Sequence, residues 1–358
     1  MKSISGINKD NERGTFIVQK QYKGILIKKR GFATLNVAKA YLSNDMYLID
    51  HPEKKDNKED ATLDDVFEKY YQYRTTNVRI TTLEGDRYQY KNHIQPYFGN
   101  RVLSTIKQSE VAAWRVEFVK KGYSDKFSNK VLSVFRLMLQ HAFERNYKLN
   151  TTLFLELKKI KTGKLLIERE ILSYDEIDQF LNTFEKEIPS EYDYWLYFYA
   201  FSRSGMRPNE FRGLQVKDLK KEKISVNHDI TSKIAGKGVI IQPCKNESSI
   251  REVLMPKDIM NLLYEHTKDY NPNDFIFGKD KPFSESNIRR ELDAHLKKAK
   301  LPHITIYGFR HSHATHLIRN GVMIKVVSMR LGHKDIQTTL NTYQHLLKED
   351  QESVLKYL

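Results

Sequence analysis

Apolar residues change their spacing along the chain, and the changes divide it into three stretches. In residues 1 to about 50, Thr15-Phe16-Ile17-Val18 and Gly24-Ile25-Leu26-Ile27 are short apolar runs with Tyr22-Lys23-Gly24 between them. Such runs around a glycine turn predict a small β-rich module. The basic run Lys28-Lys29-Arg30-Gly31 follows and by itself reads as a solvated turn, and a helix is expected from about Asn36 to Leu42. Residues 51–61, opening on His51-Pro52-Glu53-Lys54-Lys55, are charged and almost free of apolar side chains, as a linker is.

Helical spacing takes over in residues 62–160. Thr62 with Asp65 can open a helix through a capping box, and Leu63, Val66, Phe67, Tyr70 and Tyr71 then share one face. Ser109 precedes a second stripe of Val111, Trp114 and Phe118, and a third carries Val131, Val134, Phe135, Met138 and Ala142. All three read as packed core. A second linker, residues 161–169, continues the basic run that starts at Lys158. From 170 to 358 helices and strands mix. Ser173 and Glu176 make another capping box, Tyr192 to Phe201 is an aromatic and buried helix, and strands are expected near Ile224–Val226, Val239–Pro243 and Arg251–Leu254.

Charge adds a partner to this outline. The 60 Lys and Arg residues exceed the 45 Asp and Glu by 15, and such an excess favours a polyanion, because bound phosphates release their condensed counterions. A single cysteine, Cys244, excludes an internal disulfide framework and a Cys-rich zinc site. No signal-peptide core and no bilayer-length apolar run is present, so the chain reads as cytoplasmic, with no membrane partner.

Four segments of the last stretch carry candidate chemistry. In Gly205-Met206-Arg207-Pro208-Asn209-Glu210, the glycine breaks a helix and Pro208 suits the first position of the next. Arg207 then sits at a helix start, where an anion is favoured, with Glu210 near enough to brace it. Lys245 lies at the expected tip of a β-hairpin that continues to Arg251. Arg310 is flanked by apolar residues in Tyr307-Gly308-Phe309-Arg310-His311-Ser312-His313, which suggests a partly buried cation in need of an anion. In Leu331-Gly332-His333, the glycine can end a helix and leave His333 in the turn, with Tyr343 on the helix beyond. Two arginines, a lysine, a histidine and a tyrosine suit phosphodiester transfer. Guanidiniums fork onto the non-bridging oxygens, a phenol can be the nucleophile, and the leaving alkoxide needs a proton.

Taken in order, these segments resemble the active site of the tyrosine recombinase (phage integrase) family, and with it the integrases of phages and integrative conjugative elements. The resemblance implies that Arg207 and Arg310 clamp the scissile phosphate, His333 hydrogen-bonds it, Tyr343 attacks and Lys245 protonates the leaving oxygen. Arg310, His333 and Tyr343 lie 23 and then 10 residues apart, which suits the family's layout. One position departs from the pattern, since Tyr307 stands where the family usually has a histidine. A phenol is a poor base near neutral pH. Proton removal from Tyr343 is therefore expected to fall to His333 or water, with Tyr307 either a positioning or a packing residue. Glu210 and His311 are expected to support the five named roles.

The resemblance extends over nearly the whole chain and implies an α+β multidomain fold: an arm-type DNA-binding module at 1–50, a helical core-binding domain at 62–160, and a mainly helical catalytic domain with a small antiparallel sheet at 170–358. It turns Lys28, Lys29 and Arg30 into expected phosphate contacts. The implied function is integration and excision of a mobile element through a 3′-phosphotyrosine, with no metal and no cofactor. The implied partners are double-stranded DNA at core and arm sites, a homotetramer in the synapse, and an excisionase and a host DNA-bending protein as helpers. Val354, Leu355 and Leu358 in the tail would pack on a neighbouring protomer or on their own. Three other readings differ in chemistry. A metal site from His311, His313, His316 and His333 lacks a completing carboxylate or thiolate. A non-catalytic DNA binder would not need Tyr343, and a type IB topoisomerase or a resolvase would not need the arm module.

Overall fold

Two neighbouring residues, Lys23 and Gly24, set the first hairpin. Both have positive φ, 47° and 81°, the backbone that two-residue hairpins demand because it matches the twist of the flanking strands. A computed structural model gives the fold, and it describes residues 6–32, 34–50, 60–161, 170–232, 234, 236, 238–244 and 246–349. The chain makes two compact units, Met1–Leu165 and Leu166–Leu358.

In the first unit β1 (Ile7–Asp10), β2 (Thr15–Tyr22) and β3 (Ile25–Phe32) form an antiparallel sheet in that order. Ile7, Val18, Ile27 and Phe32 are its buried side chains, and they cluster with Val37, Ala38 and Leu42 of α1 (Leu35–Asp50). Lys28, Lys29 and Arg30 belong to β3 and are not a turn, because the ladder with β2 runs on past them. All three are exposed.

The helical part follows from its caps. Thr62 and Asp65 form the expected reciprocal box at the start of α2 (Leu63–Thr75). Then come α3 (Ile80–Gln89), a π-helical turn at Tyr90–Ile94, α4 (Gln95–Phe98), α5 (Gln108–Lys120), α6 (Asp125–Glu144) and α7 (Leu153–Glu156). The apolar stripes meet as aromatic contacts: Phe67 stacks on Tyr90 at 3.9 Å, and Trp114 meets Phe135 edge-on at 5.7 Å. The sheet and α1 share this core. Tyr41 stacks on Phe143, and Arg136 donates to the Thr34 hydroxyl at 3.2 Å.

The second unit holds α8 (Tyr174–Leu181), α9 (Pro189–Ser204), α10 (Pro208–Arg212), α11 (Lys257–His266), α12 (Glu285–Lys298), α13 (Ile306–Arg319), α14 (Ile324–Leu331) and α15 (Ile336–Glu349). Between α10 and α11 lie two small antiparallel sheets. One is β4 (Leu219–Lys220), β5 (Lys223–Val226) and β8 (Arg251–Leu254), and the other is β6 (His228–Thr231) with β7 (Ile240–Pro243). Because β7 pairs with β6 and β8 pairs with β5, β7 and β8 do not make the hairpin expected around Lys245; they belong to two different sheets. Phe180, Phe198, Phe201 and Phe309 pack at centroid distances of 5.2 to 6.0 Å and lock α8, α9 and α13 together. Among the described residues no helix is long and apolar enough to cross a membrane. Lys245, most of the two expected linkers and the tail residues Val354, Leu355 and Leu358 lie outside the described residues.

Phe135 is fully buried and touches both Trp114 and Phe98. Phe135→Ala is expected to destabilise the first unit by about 3–5 kcal/mol through the cavity it leaves. Urea denaturation checks this, and a loss well below that range would mean the helices close over the gap.

Candidate active site

Helix α14 ends at Gly332, whose φ of 67° reverses the chain in the left-handed conformation. A helix end leaves carbonyls without intrahelical donors. Here three successive ones each accept from an arginine: Arg251 Nε to Arg330 O at 2.7 Å, Arg310 Nη2 to Leu331 O at 2.8 Å and Arg207 Nη2 to Gly332 O at 3.0 Å. The arginines come from three different elements, and the carbonyls gather them.

Arg207 is in place because Gly205, at φ 67°, ends α9 and Pro208 starts α10, which leaves Arg207 as the N-cap. Gly205 is also fixed by space, since a Cβ there would stand 2.6 Å from His313 Cδ2. The Arg207 guanidinium donates to Glu210 Oε1 at 2.5 Å and to Ser249 Oγ at 3.3 Å, and its side chain keeps 28% exposure. Glu210 is buried and accepts from Arg251 Nη2 at 2.9 Å through its other oxygen. Burial by itself would raise its pKa, but Arg251 and Arg207 outweigh that and hold the carboxyl below the ordinary range.

Arg310 is 5% exposed. It donates to Gly205 O at 2.8 Å, to Leu331 O and to His333 Nε2 at 2.9 Å. Two carbonyls and an imidazole are neutral acceptors, so the charge keeps its pull on an anion. Burial, then the like charge of Arg207, push its pKa down to about 9, which leaves it a cation at neutral pH.

His333 can be assigned a tautomer. A guanidinium only donates, so Nε2 must be the lone-pair nitrogen, and the ring proton sits on Nδ1, 2.7 Å from Thr339 Oγ1. Burial, followed by the charges of Arg310, Arg207 and Arg251, lowers its pKa to about 4. Tyr343 is 3% exposed. It packs with Ala314, Val327 and Leu331, and its hydroxyl is 3.0 Å from His311 Nδ1. Its ionised form would raise the pKa of Arg310, so the two share one electrostatic site.

Arg207, Arg310, Glu210 and His333 are thus joined by hydrogen bonds within the second unit, and the His311–Tyr343 pair meets them through the packing of Tyr343 on Leu331 and through charge. Among the described residues no hydrogen bond ties Tyr307 to them. It is 48% exposed and lines a cavity of about 580 Å³ with Pro208, Arg212 and His303. Three contributors gave no isolated signal in the sequence. Arg251 was legible only as a hairpin arginine. Thr339 is an unremarkable helix residue. Arg330 donates to His313 Nε2 at 2.9 Å and to the carbonyls of Leu254 and Arg203, tying α9, β8, α13 and α14 together. The four histidines weighed as a metal site fall into two pairs, His333 and His311 on Arg310 and Tyr343, and His313 and His316 on Tyr174. His313 lies between Arg330 and Tyr174 with its pKa lowered to about 3 by burial and Arg330, while His316 stacks on Tyr174.

Comparison with known proteins reaches both units. Residues 170–350 match the Phage integrase family, and residues 62–118 match the Phage integrase, N-terminal SAM-like domain. The ICEBs1 integrase of Bacillus subtilis (strain 168) is 26% identical over 287 residues, 76% of this chain and 75% of its own length. The transposase from transposon Tn916 of Enterococcus faecalis is 24% identical over 308 residues, 78% and 73% of the two chains. Among solved structures, the Tn1549 transposon integrase in complex with transposon right end DNA aligns with TM-score 0.67 at 21% identity, over 83% of this chain and 99% of that one. A lambda integrase tetramer bound to a Holliday junction aligns with TM-score 0.59 at 15% identity, over 94% of both.

The low pKa values give a sign for acid stability. His333 and His313 are held neutral in the fold at about 4 and about 3, whereas in an unfolded chain they protonate near pH 6.5. Their stabilising contribution is full above about pH 6.5 and is lost as pH falls toward those lower values. Long-range ¹H–¹⁵N spectra at about pH 5.5 should show both rings neutral, and a protonated His333 ring there would contradict the assignment.

Proposed function

Because the chain belongs to the phage integrase family of tyrosine recombinases, and is a site-specific recombinase of mobile elements, we propose that Tyr343 is its nucleophile and that Arg207 and Arg310 clamp the DNA phosphate it attacks. The observation that supports these roles is the pair of bonds to consecutive carbonyls, Arg310 to Leu331 O and Arg207 to Gly332 O, with His333 next in the chain. Two forked cations held side by side can take both non-bridging oxygens of one phosphodiester and stabilise the charge that builds in the transition state.

An arriving phosphate competes for the Arg310 N–H groups. As Nη2 turns from His333 to the anion, the nearby negative charge lifts the histidine's pKa, and Nε2 gains a proton with which to hold a phosphate oxygen. Tyr343 Oη forms the bond to phosphorus and the P–O5′ bond breaks, leaving a 3′-phosphotyrosine. Lys245 gives the departing 5′-oxygen its proton, a role supported by the family resemblance alone. The 5′-hydroxyl of the partner duplex then reverses the step. The phosphotyrosine conserves the ester bond, so strand exchange draws on no nucleotide hydrolysis.

The partners follow the relatives. Four copies act on two paired core sites, as four copies of lambda integrase bind a Holliday junction. The exposed basic strand of Lys28, Lys29 and Arg30 contacts arm-type DNA, with Lys29 Nζ seated 4.9 Å over the Tyr41 ring.

Tyr343→Phe should bind attachment-site DNA as the unaltered protein does and form no covalent adduct with a nicked suicide substrate on a denaturing gel. An adduct in that variant removes Tyr343 from the reaction. Arg310→Lys should lower the cleavage rate by about 10²-fold or more, since an ammonium cannot span two carbonyls and a phosphate. Lys28→Ala with Arg30→Ala should weaken arm-type DNA binding and reduce the slope of log K against log salt by about 0.9 for each phosphate no longer neutralised. An unchanged slope in mobility-shift titrations argues against the arm role.

A further inference from the structure

The geometry points to His311 as the base that takes the phenolic proton from Tyr343. This rests on the reading of Tyr343 as nucleophile, and it fills a chemical gap that Tyr307 leaves. The phenol must lose its proton as the oxygen attacks, and a second phenol at 307 is a poor acceptor near neutral pH. Tyr307 is also exposed and borders the cavity by His303, whereas the Tyr343 hydroxyl meets His311. His333 is poorly placed for the task, because Nε2 accepts from Arg310 and Nδ1 donates to Thr339. Once phosphate draws Arg310 away, its free nitrogen faces the anion.

His311 has the contact that a base needs. Its Nδ1 is 3.0 Å from Tyr343 Oη, within the reach expected of a general base. With the ring proton on Nε2, Nδ1 presents its lone pair to the phenolic hydrogen. The helix separates the two neighbours in sequence: Arg310 turns to the α14 end while His311 turns to Tyr343 on α15. One turn of α13 therefore supplies both the phosphate clamp and the proton acceptor. In cleavage the proton moves from Oη to Nδ1, the Oη lone pair forms the bond to phosphorus, and the P–O5′ pair leaves with the 5′-oxygen, which is protonated from the other side. In rejoining, the 5′-hydroxyl gives its proton to the group that had protonated the leaving oxygen and attacks phosphorus, the P–Oη pair returns to the tyrosine, and the imidazolium hands its proton to Oη.

Single-turnover cleavage of a nicked suicide substrate tests the assignment with His311→Ala and His311→Asn. Asparagine keeps a hydrogen-bond acceptor near the Nδ1 position but can take no proton. Both variants should bind DNA normally and form the adduct about 10²-fold or more slowly. They should stay equally slow on a substrate with sulfur in place of the bridging 5′-oxygen, because a thiolate leaving group removes the need for a proton donor and not for an acceptor. An asparagine variant within a few-fold of the unaltered rate would mean His311 only holds the phenol, and recovery on the sulfur substrate would move its role to the leaving group. Either result overturns the proposal. Tyr343→Phe run in parallel keeps the two questions apart: with no adduct there, a fast His311→Asn sinks the base alone, whereas an adduct there sinks the nucleophile and the base together.

Discussion

The end of one short helix organises this site. Carbonyls at a helix C-terminus carry partial negative charge and lack donors from their own helix. At the end of α14 they draw in Arg251, Arg310 and Arg207 from a strand, a helix and an N-cap. One carboxylate, Glu210, bonds two of the three guanidiniums, those of Arg207 and Arg251. Like charges at this spacing would repel in a bare cavity. Here dipoles and a single anion hold them, and the cluster keeps a net positive charge.

That balance suits a ligand that comes and goes. A carboxylate for every arginine would cancel the field, and a phosphate would then have to displace an ion pair in a buried site, which is costly. Carbonyls orient the N–H groups without neutralising them, so the field is already directed when the anion arrives. Neutral His333 fits the same design. It takes a hydrogen bond from Arg310 in the absence of an anion and adds no further positive charge to a crowded cluster.

Much of this was legible from local rules. The capping boxes at Thr62 and Ser173, the break at Gly205 and the turn at Gly332 each express a backbone preference that a few neighbouring residues decide, and each appears where the pattern predicts it. Arg207, Arg310, His333 and Tyr343 were found as motifs, because their order along the chain is distinctive. What local reading missed is what long-range contact decides. Lys28 to Arg30 looked like a turn because polar residues in an edge of a sheet carry no periodic signal, yet ladder pairing with β2 extends the strand through them. Arg330 and Thr339 owe their importance to partners far away in sequence or a turn away in space, His313 and His333, and nothing in their own neighbourhoods marks them. The contact between His311 and Tyr343 depends on how two helices cross, which a spacing of residues cannot express.

Because the clamp grips main-chain oxygens at 330, 331 and 332, its geometry is largely indifferent to which aliphatic side chain stands at 331. Such a position can drift among apolar residues over evolutionary time while the guanidiniums stay put. Gly332 has no such freedom, since its φ of 67° strains any larger residue and a Cβ there, 2.9 Å from Arg251 Nη1, would push that guanidinium off the helix end. Divergent lineages built on this plan should therefore hold the glycine and change residue 331 only within the volume that its buried packing on Tyr343 allows.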